Sequence, residues 1–319
     1  MKKVRVGVVG TGYLGKFHAE KYFQMSDVEL VGVVDIDKRQ AEKIANGVST
    51  KAYKNYRDLI GKVDAVSIVV PTHAHFSISK DFLENDVDVL IEKPITTTIK
   101  EADELISISE NRGLIIQVGH LERFNPAVLA LKDIVNNPRF IESHRLSTFK
   151  GRGTDVSVVL DLMIHDIDII ASLVKSEIKN FHAAGTPIIT NQVDIANTRI
   201  EFENGCVANV TASRISTKDE RKTRLFQRDA YISVDFANHE INIVRKNNDE
   251  VKSIIPGMEI KNLCFAKGDA LKDELAAFVK SVSSRQEPEV TGQIGRNALK
   301  VALSIMEQID HLKKQLIDQ

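Results

Sequence analysis

Asp161 and His165 stand four residues apart in the run Val158-Val159-Leu160-Asp161-Leu162-Met163-Ile164-His165-Asp166, so on a helix they share one face. The surrounding residues are strongly apolar, and a carboxylate and an imidazole carried on a buried helix need partners. Such a pair suits the oxidation of an alcohol. A base must remove the hydroxyl proton as hydride leaves the carbon, and a histidine near its ordinary pKa of about 6.5 can do this at neutral pH. Asp161 would bind a substrate hydroxyl or orient the base. Two other readings stay open: a self-satisfied Asp–His core pair, and a metal site using both residues. The second lacks a third ligand at suitable spacing, so no metal is expected.

Lys93 is the other chemically suggestive residue. It is bracketed by Glu92 and Pro94 and directly follows the apolar run Val87–Ile91. In an open parallel sheet, ligands bind beyond the carboxyl ends of the strands. A lysine at that position is placed towards a bound ligand rather than on an outer helix face; the alternative is a surface salt bridge between Glu92 and Lys93. Two more strand-like runs end in unusual polar segments, Pro71-Thr72-His73-Ala74-His75 and His120-Leu121-Glu122-Arg123.

Gly10-Thr11-Gly12-Tyr13-Leu14-Gly15 is a G-x-G-x-x-G that follows the first strand-like run and opens a helix. Gly10 permits a tight turn, Gly12 lets the backbone approach a pyrophosphate, and Gly15 lets helix pack on strand. The helix N-terminus, at Tyr13 and Leu14, offers N–H groups to phosphates. Asp35 ends the second strand twenty residues beyond Gly15, where an acid accepts hydrogen bonds from ribose hydroxyls. A 2′-phosphate about 4 Å from it would cost roughly 4 kcal/mol at an effective dielectric near 20. Lys38 and Arg39 would offset part of that, so NAD is expected over NADP. A purely structural turn, with Asp35 as a helix cap, is the alternative.

These residues need elements to hold them. Val4–Val9, Glu29–Val34, Ala65–Val70, Val87–Ile91 and Leu114–Val118 read as buried strands. Tyr13–Gln24, a segment from about Lys38, Ile78–Glu84 and Lys100–Asn111 read as helices between them. Continuous apolar strands alternating with helices predict a doubly wound parallel sheet of the Rossmann type. After Glu122 the pattern changes. Ile195–Phe202 and Cys206–Ser213 are joined at Glu203-Asn204-Gly205, a hairpin signal, and Tyr231–Phe236 with Glu240–Val244 makes a similar pair. Ser157–Val174, Asp269–Ser281 and Gly292–Gln315 read as flanking helices. The fold class expected is therefore α/β, with a dinucleotide-binding domain over residues 1–122 and an α+β domain over 123–319. The second domain would carry a mostly antiparallel, open-faced sheet, the substrate site and an oligomer contact.

The chain has 319 residues, 43% hydrophobic and 27% charged, with a formal net charge of −1. That length favours two domains, and that charge leaves no overall field for nucleic acid or an anionic membrane. Cys206 and Cys264 lie far apart with no metal-ligand spacing, consistent with a reducing cytoplasm. The opening MKKVRVGVVG is too short and too glycine-broken for a signal peptide, and no apolar stretch approaches a membrane span.

Taken together, the glycine turn at 10–15, the Pro71…His75 turn, Glu92-Lys93-Pro94 and Asp161-x-x-x-His165 resemble the Gfo/Idh/MocA family of oxidoreductases along the whole chain. The resemblance implies a nicotinamide cofactor and hydride transfer from a ring carbinol of a sugar or cyclitol. Lys93 would bind the reacting hydroxyl, Asp161 would hold substrate, and His165 would be the acid/base. Pro71, Thr72, His75, Glu92 and Lys93 would lie on the cofactor side. Thr72 stands where many members carry asparagine, and Asn85-Asp86-Val87-Asp88 replaces a usual Gly-Lys-His-Val type turn.

Val118-Gly119-His120-Leu121-Glu122-Arg123-Phe124-Asn125-Pro126 and Phe149-Lys150-Gly151-Arg152-Gly153-Thr154-Asp155 are similar to the branch that includes UDP-N-acetylglucosamine 3-dehydrogenases. Its members make a 3-keto nucleotide sugar that an aminotransferase converts to a 3-amino sugar, in some bacteria for lipid A. Arg123 and Asn125 are carried over as substrate contacts on that likeness. A near-neutral protein must meet a pyrophosphate locally, and Lys150 and Arg152 in a glycine-containing loop would do so; an exposed basic loop is the alternative. An inositol or free-sugar dehydrogenase remains a rival, as does a non-catalytic NAD-binding sensor or scaffold. A homodimer or homotetramer is expected.

Overall fold

The β-branched runs that open the chain leave no polar face, so they can be buried only in a sheet covered on both sides. In the computed structural model, which describes residues 3–151, 153–246 and 257–317, they do so. Strands β1 (Val4–Val9), β2 (Val28–Val34), β3 (Lys51–Tyr53), β4 (Ala65–Ile68), β5 (Asp88–Glu92) and β6 (Ile116–Gly119) form one sheet in the order β3-β2-β1-β4-β5-β6. Every pairing is parallel. Helices α1 (Tyr13–Gln24), α2 (Lys38–Gly47), α3 (His75–Glu84) and α4 (Ile99–Arg112) connect them. The fold class expected from the sequence holds here. The short β3 escaped notice because its three residues carry no apolar run and none of them is buried.

Local sequence sets the boundaries. Thr98 and Glu101 form a reciprocal capping box at the start of α4, and Gly113 closes its end at φ 63°. The later helix α7 (Ala270–Ser284) starts on Asp269, whose side chain accepts from the Lys272 N–H. Its Leu275, Phe278, Val279 and Val282 join Val4, Val6, Val8 and Tyr22 in one hydrophobic cluster. Fully burying such a side chain stabilises by about 1.5–3 kcal/mol. The first compact unit is accordingly Met1–Leu121 together with Asp269–Leu299. A single division at residue 122 was expected from the sequence. An amphipathic pattern tells that a helix has a buried face, but it does not tell which sheet will cover that face.

The second unit comprises Glu122–Gly268 and Lys300–Gln319. Strands β7 (Phe140–Leu146), β8 (Ile178–Thr186), β9 (Ile195–Phe202), β10 (Val207–Ser213), β11 (Glu220–Phe226), β12 (Ala230–Asp235), β13 (Glu240–Lys246) and β14 (Met258–Cys264) form a sheet in the order β14-β13-β12-β11-β7-β10-β9-β8. All pairings are antiparallel except β7 with β10. The β9–β10 hairpin turns at Asn204-Gly205, with Gly205 at φ 82°. In β9, Ala196, Thr198, Ile200 and Phe202 point inward and alternate with more exposed residues. β7, β8, β11 and β14 were not foreseen. The polar Glu220-Arg221-Lys222-Thr223-Arg224 of β11 and the largely exposed edge strand β14 give no such alternation of apolar residues. Helices α5 (Pro126–Ile134), α6 (Ile164–Val174) and α8 (Gly292–Ile317) complete the set. No described helix is long and apolar enough to cross a membrane.

Candidate functional site

Because the first sheet is parallel, the turns after β1, β2, β4 and β5 all emerge from one edge. The Gly10 N–H donates to Val34 O at 2.8 Å, and Gly10 has φ 94°. A Cβ on Gly10 would lie 2.3 Å from Val69 O, and one on Gly15 would lie 1.9 Å from Gly10 O. A Cβ on Gly12 would meet nothing within 4 Å. Two glycines are therefore required by the turn, and the third faces open space. No side chain caps α1 and no acid sits in its first turn, so the positive end of its dipole is left for an anion. Tyr13 and Leu14, both exposed, form that first turn, and the Tyr13 ring meets Phe17 edge-on.

Asp35 follows β2. Its Oδ2 accepts from the Thr11 N–H and the Thr11 hydroxyl, both at 2.8 Å, and its Oδ1 accepts from the Asp37 N–H at 3.0 Å. The carboxylate thus braces the glycine turn. The helix cap of α2 is Asp37, whose Oδ1 accepts from the Arg39 N–H at 3.0 Å.

After β4, Pro71 is exposed, and Thr72–Ala74 make one 3-10 turn leading into α3. His75 is buried; Nδ1 lies 2.9 Å from Pro94 O and Nε2 lies 2.8 Å from Val70 O. The ring is a strut joining the turns after β4 and β5. Glu92 is similarly engaged. Its Oε1 lies 3.2 Å from His18 Nε2 of α1, and its Oε2 accepts from the Lys93 N–H at 3.3 Å. Burial pushes the Glu92 carboxyl up, but His18 and then Lys93 outweigh it and hold it below the ordinary carboxylate value. Lys93 is half-buried, and its charge is one of those that lower Glu92. Behind Glu92, Glu274 of α7 is fully buried, and neither carboxyl oxygen has a hydrogen-bond partner among the described residues. Burial, and then the charge of Glu92, raise the Glu274 carboxyl well above its ordinary value.

In the second unit the Asp161 segment departs from a plain helix. Val159–Met163 form a π-helical turn, and α6 begins at Ile164. Such turns widen the backbone and occur at functional sites more often than elsewhere. Asp161 lies in this π turn and His165 in the first turn of α6, and both are half-buried. Next to them, Asp166 is buried and gripped by Arg145 of β7, Nε to Oδ2 at 2.8 Å and Nη2 to Oδ1 at 3.1 Å. Arg145 also donates to Glu122 Oε1 at 2.9 Å. The pattern of alternating strands hides Arg145, and nothing in the sequence pairs it with Asp166.

The expected substrate contacts divide. Lys150 is exposed and donates to Asp219 Oδ2 at 2.9 Å, so an incoming pyrophosphate competes with that acid. Arg152 lies outside the described residues. Arg123 is buried with its Nε 3.9 Å from Asp168 Oδ2. Asn125 caps α5 by accepting from the Ala127 N–H and donates to Phe236 O at 3.0 Å. These last two have polar atoms turned to partners inside the second unit. Among the described residues no three His, Cys, Asp or Glu side chains gather as a metal site.

Residues 4–120 match the oxidoreductase family model described as an NAD-binding Rossmann fold, and residues 136–233 match the Gfo/Idh/MocA C-terminal domain. The chain is 36% identical over 311 residues to UDP-N-acetylglucosamine 3-dehydrogenase of Acidithiobacillus ferrooxidans, covering 97% of this chain and 98% of that one. The chain belongs to the Gfo/Idh/MocA family. A solved structure of the Acidithiobacillus enzyme superposes with a TM-score of 0.92, at 36% identity and over 98% of this chain and 99% of that one. scyllo-Inositol 2-dehydrogenase (NAD(+)) of Bacillus subtilis is 28% identical over 316 residues, 91% of this chain and 89% of that one. As a Gfo/Idh/MocA protein the chain is an NAD-dependent oxidoreductase acting on a carbinol. The glycine turn fits that cofactor: two positions where a Cβ would strike backbone, one opening on free space, and an uncapped helix end.

Proposed function

We propose that this chain oxidises the C3 hydroxyl of UDP-N-acetylglucosamine, giving the 3-keto nucleotide sugar, with NAD as the acceptor. The observation that carries this reading is the 36% identity to UDP-N-acetylglucosamine 3-dehydrogenase, over nearly the full length of both chains. Bound NAD supplies the electron-pair acceptor for the hydrogen leaving carbon. Gly10, Gly12, Gly15, the N-terminus of α1 and Asp35 hold it, and Pro71 and Thr72 border it. His165 removes the hydroxyl proton. Lys93 donates to the developing alkoxide; Glu92, its neighbour in the chain, is held below the ordinary carboxylate value. Asp161 accepts from a sugar hydroxyl and keeps the ring in one orientation. Lys150 exchanges Asp219 for a phosphate oxygen.

A keto nucleotide sugar is a substrate for an aminotransferase, which places the chain in the making of 3-amino sugars for lipopolysaccharide in the cytoplasm. The open face of the eight-stranded sheet is where copies of the chain would pair.

The test incubates purified protein and NAD with UDP-N-acetylglucosamine, free N-acetylglucosamine and a set of inositols. NADH is followed by absorbance and the product by mass spectrometry. A product two hydrogens lighter from the UDP-sugar alone supports the reading. Turnover of an inositol in its place, the activity named for the Bacillus subtilis relative, would replace it.

A further inference from the structure

We propose that Arg214 is a positioning residue for Asp161, acting through the backbone of Gly153. Arg214 directly follows β10 and is buried. Its Nη1 donates to Gly153 O and its Nη2 to Val156 O. Two carbonyl oxygens only accept, and a guanidinium is the side chain whose rigid fork meets both at once. Its own N–H donates to Asp194 O at 3.0 Å, and its Nε lies 3.8 Å from Asp194 Oδ1. Asp194 is itself fixed, because Oδ2 accepts from the N–H groups of Ile188, Ile189 and Thr190 at 2.7–2.8 Å. A rigid anchor therefore reaches from the sheet into the loop ahead of the π turn.

The loop in turn touches the acid. Gly153 has φ 65°, and a Cβ there would lie 3.2 Å from Asp161 Oδ2 and 3.6 Å from its Cγ. The glycine backbone thus forms one wall of the space open to the carboxylate. Fixing that wall limits the rotamers of Asp161, and so the direction in which it accepts a hydrogen bond. None of this marks Arg214 in the sequence, where it is one arginine among many at strand ends.

The proposal rests on the reading that Asp161 holds a sugar hydroxyl. The experiment measures binding of UDP-N-acetylglucosamine by calorimetry to the NADH-saturated enzyme, which does not turn over. The proteins are wild type, D161A, R214K, G153A and the two double variants with D161A. NADH affinity and Tm are recorded for each. R214K and G153A are each expected to weaken sugar binding about tenfold, the effect of losing one well-placed hydrogen bond, with NADH affinity unchanged. On the D161A background neither should add a further loss. Tenfold losses that persist in D161A, or a lowered Tm with unchanged sugar affinity, would overturn the proposal. If R214K does not fold, G153A carries the same comparison. Wild-type sugar affinity in D161A alone identifies the failure of the Asp161 reading, and the proposal falls with it.

Discussion

Arg145 and Asp166 meet through two parallel hydrogen bonds inside the second unit, one residue along the chain from His165. Both side chains are almost wholly buried. Burial opposes the charge on Arg145, but Asp166 and Glu122 outweigh it and raise its pKa further. The ion pair therefore fixes the start of α6 to β7, and with it the presentation of His165.

Arg145→Met leaves Asp166 charged and unpaired in the interior. The unfolding free energy should fall by about 3–5 kcal/mol, as for other broken buried pairs, measured by urea denaturation. A loss below about 1 kcal/mol would mean that Asp166 is not held by Arg145 in solution.

Two glycines three residues apart, Gly12 and Gly15, should respond differently. Gly15→Ala places a methyl against Gly10 O, and overpacking of this kind costs about 1–3 kcal/mol or more, so Tm falls along with NAD affinity. Gly12→Ala meets nothing in the folded chain, so Tm should stay while NAD affinity drops at least about tenfold, one phosphate hydrogen bond's worth. Equal Tm losses for the two variants would place Gly12 in the turn's packing and remove it from the phosphate site.

Asp35→Ser removes the anion that would face a 2′-phosphate. The ratio of NADP to NAD efficiency should rise by one to three decades, bounded by a repulsion of roughly 4 kcal/mol. Affinity for NAD should itself decline, since Thr11 loses two hydrogen bonds to Asp35. Steady-state kinetics with both cofactors decides it, and an unchanged ratio would assign Asp35 to the turn alone.

Glu274 makes a prediction about pH. Its folded value lies well above the ordinary 4.5, so the folded chain holds a proton that the unfolded chain releases. The stability it contributes is complete below about pH 4.5 and is lost as pH climbs towards the folded value. Tyr22 of α1 and Glu92 of β5 are the titratable groups that interact with it electrostatically. Glu274→Gln keeps the shape and removes the titration. Its Tm relative to wild type should rise as pH climbs above about 4.5. Parallel Tm curves would show that Glu274 is ionised in the fold.

The parts of the molecule visible in the sequence are those where one residue type answers one local demand. Val4–Val9 and Tyr13–Gln24 were read to the residue, because β-branched runs and a glycine turn act over a few positions. Asn204-Gly205 gave its hairpin for the same reason. The strands β7 and β11 carry arginines and acids whose partners lie across the sheet, so their pattern is set by neighbours that a linear reading does not see. The site divides in the same way. Lys93, Asp161 and His165 stand out by type and spacing. Arg145 and Arg214 act through contacts 21 and 61 residues away in sequence, and the Glu274 carboxyl meets the charge of Glu92, from a distant strand. Arg123 and Asn125 were singled out by likeness to relatives, and in the fold their polar atoms meet Asp168 and Phe236.

The grouping of Asp269–Leu299 with the first sheet has a consequence for biosynthesis. On the ribosome, β1 to β6 emerge long before Leu275, Phe278, Val279 and Val282, which complete the cluster around Tyr22. The nucleotide-binding half must wait, incompletely covered, until nearly the whole polypeptide has been made. The second unit waits as well, since it is completed only by Lys300–Gln319, and a nascent chain stopped at residue 121 is a form that chaperones and proteases would recognise.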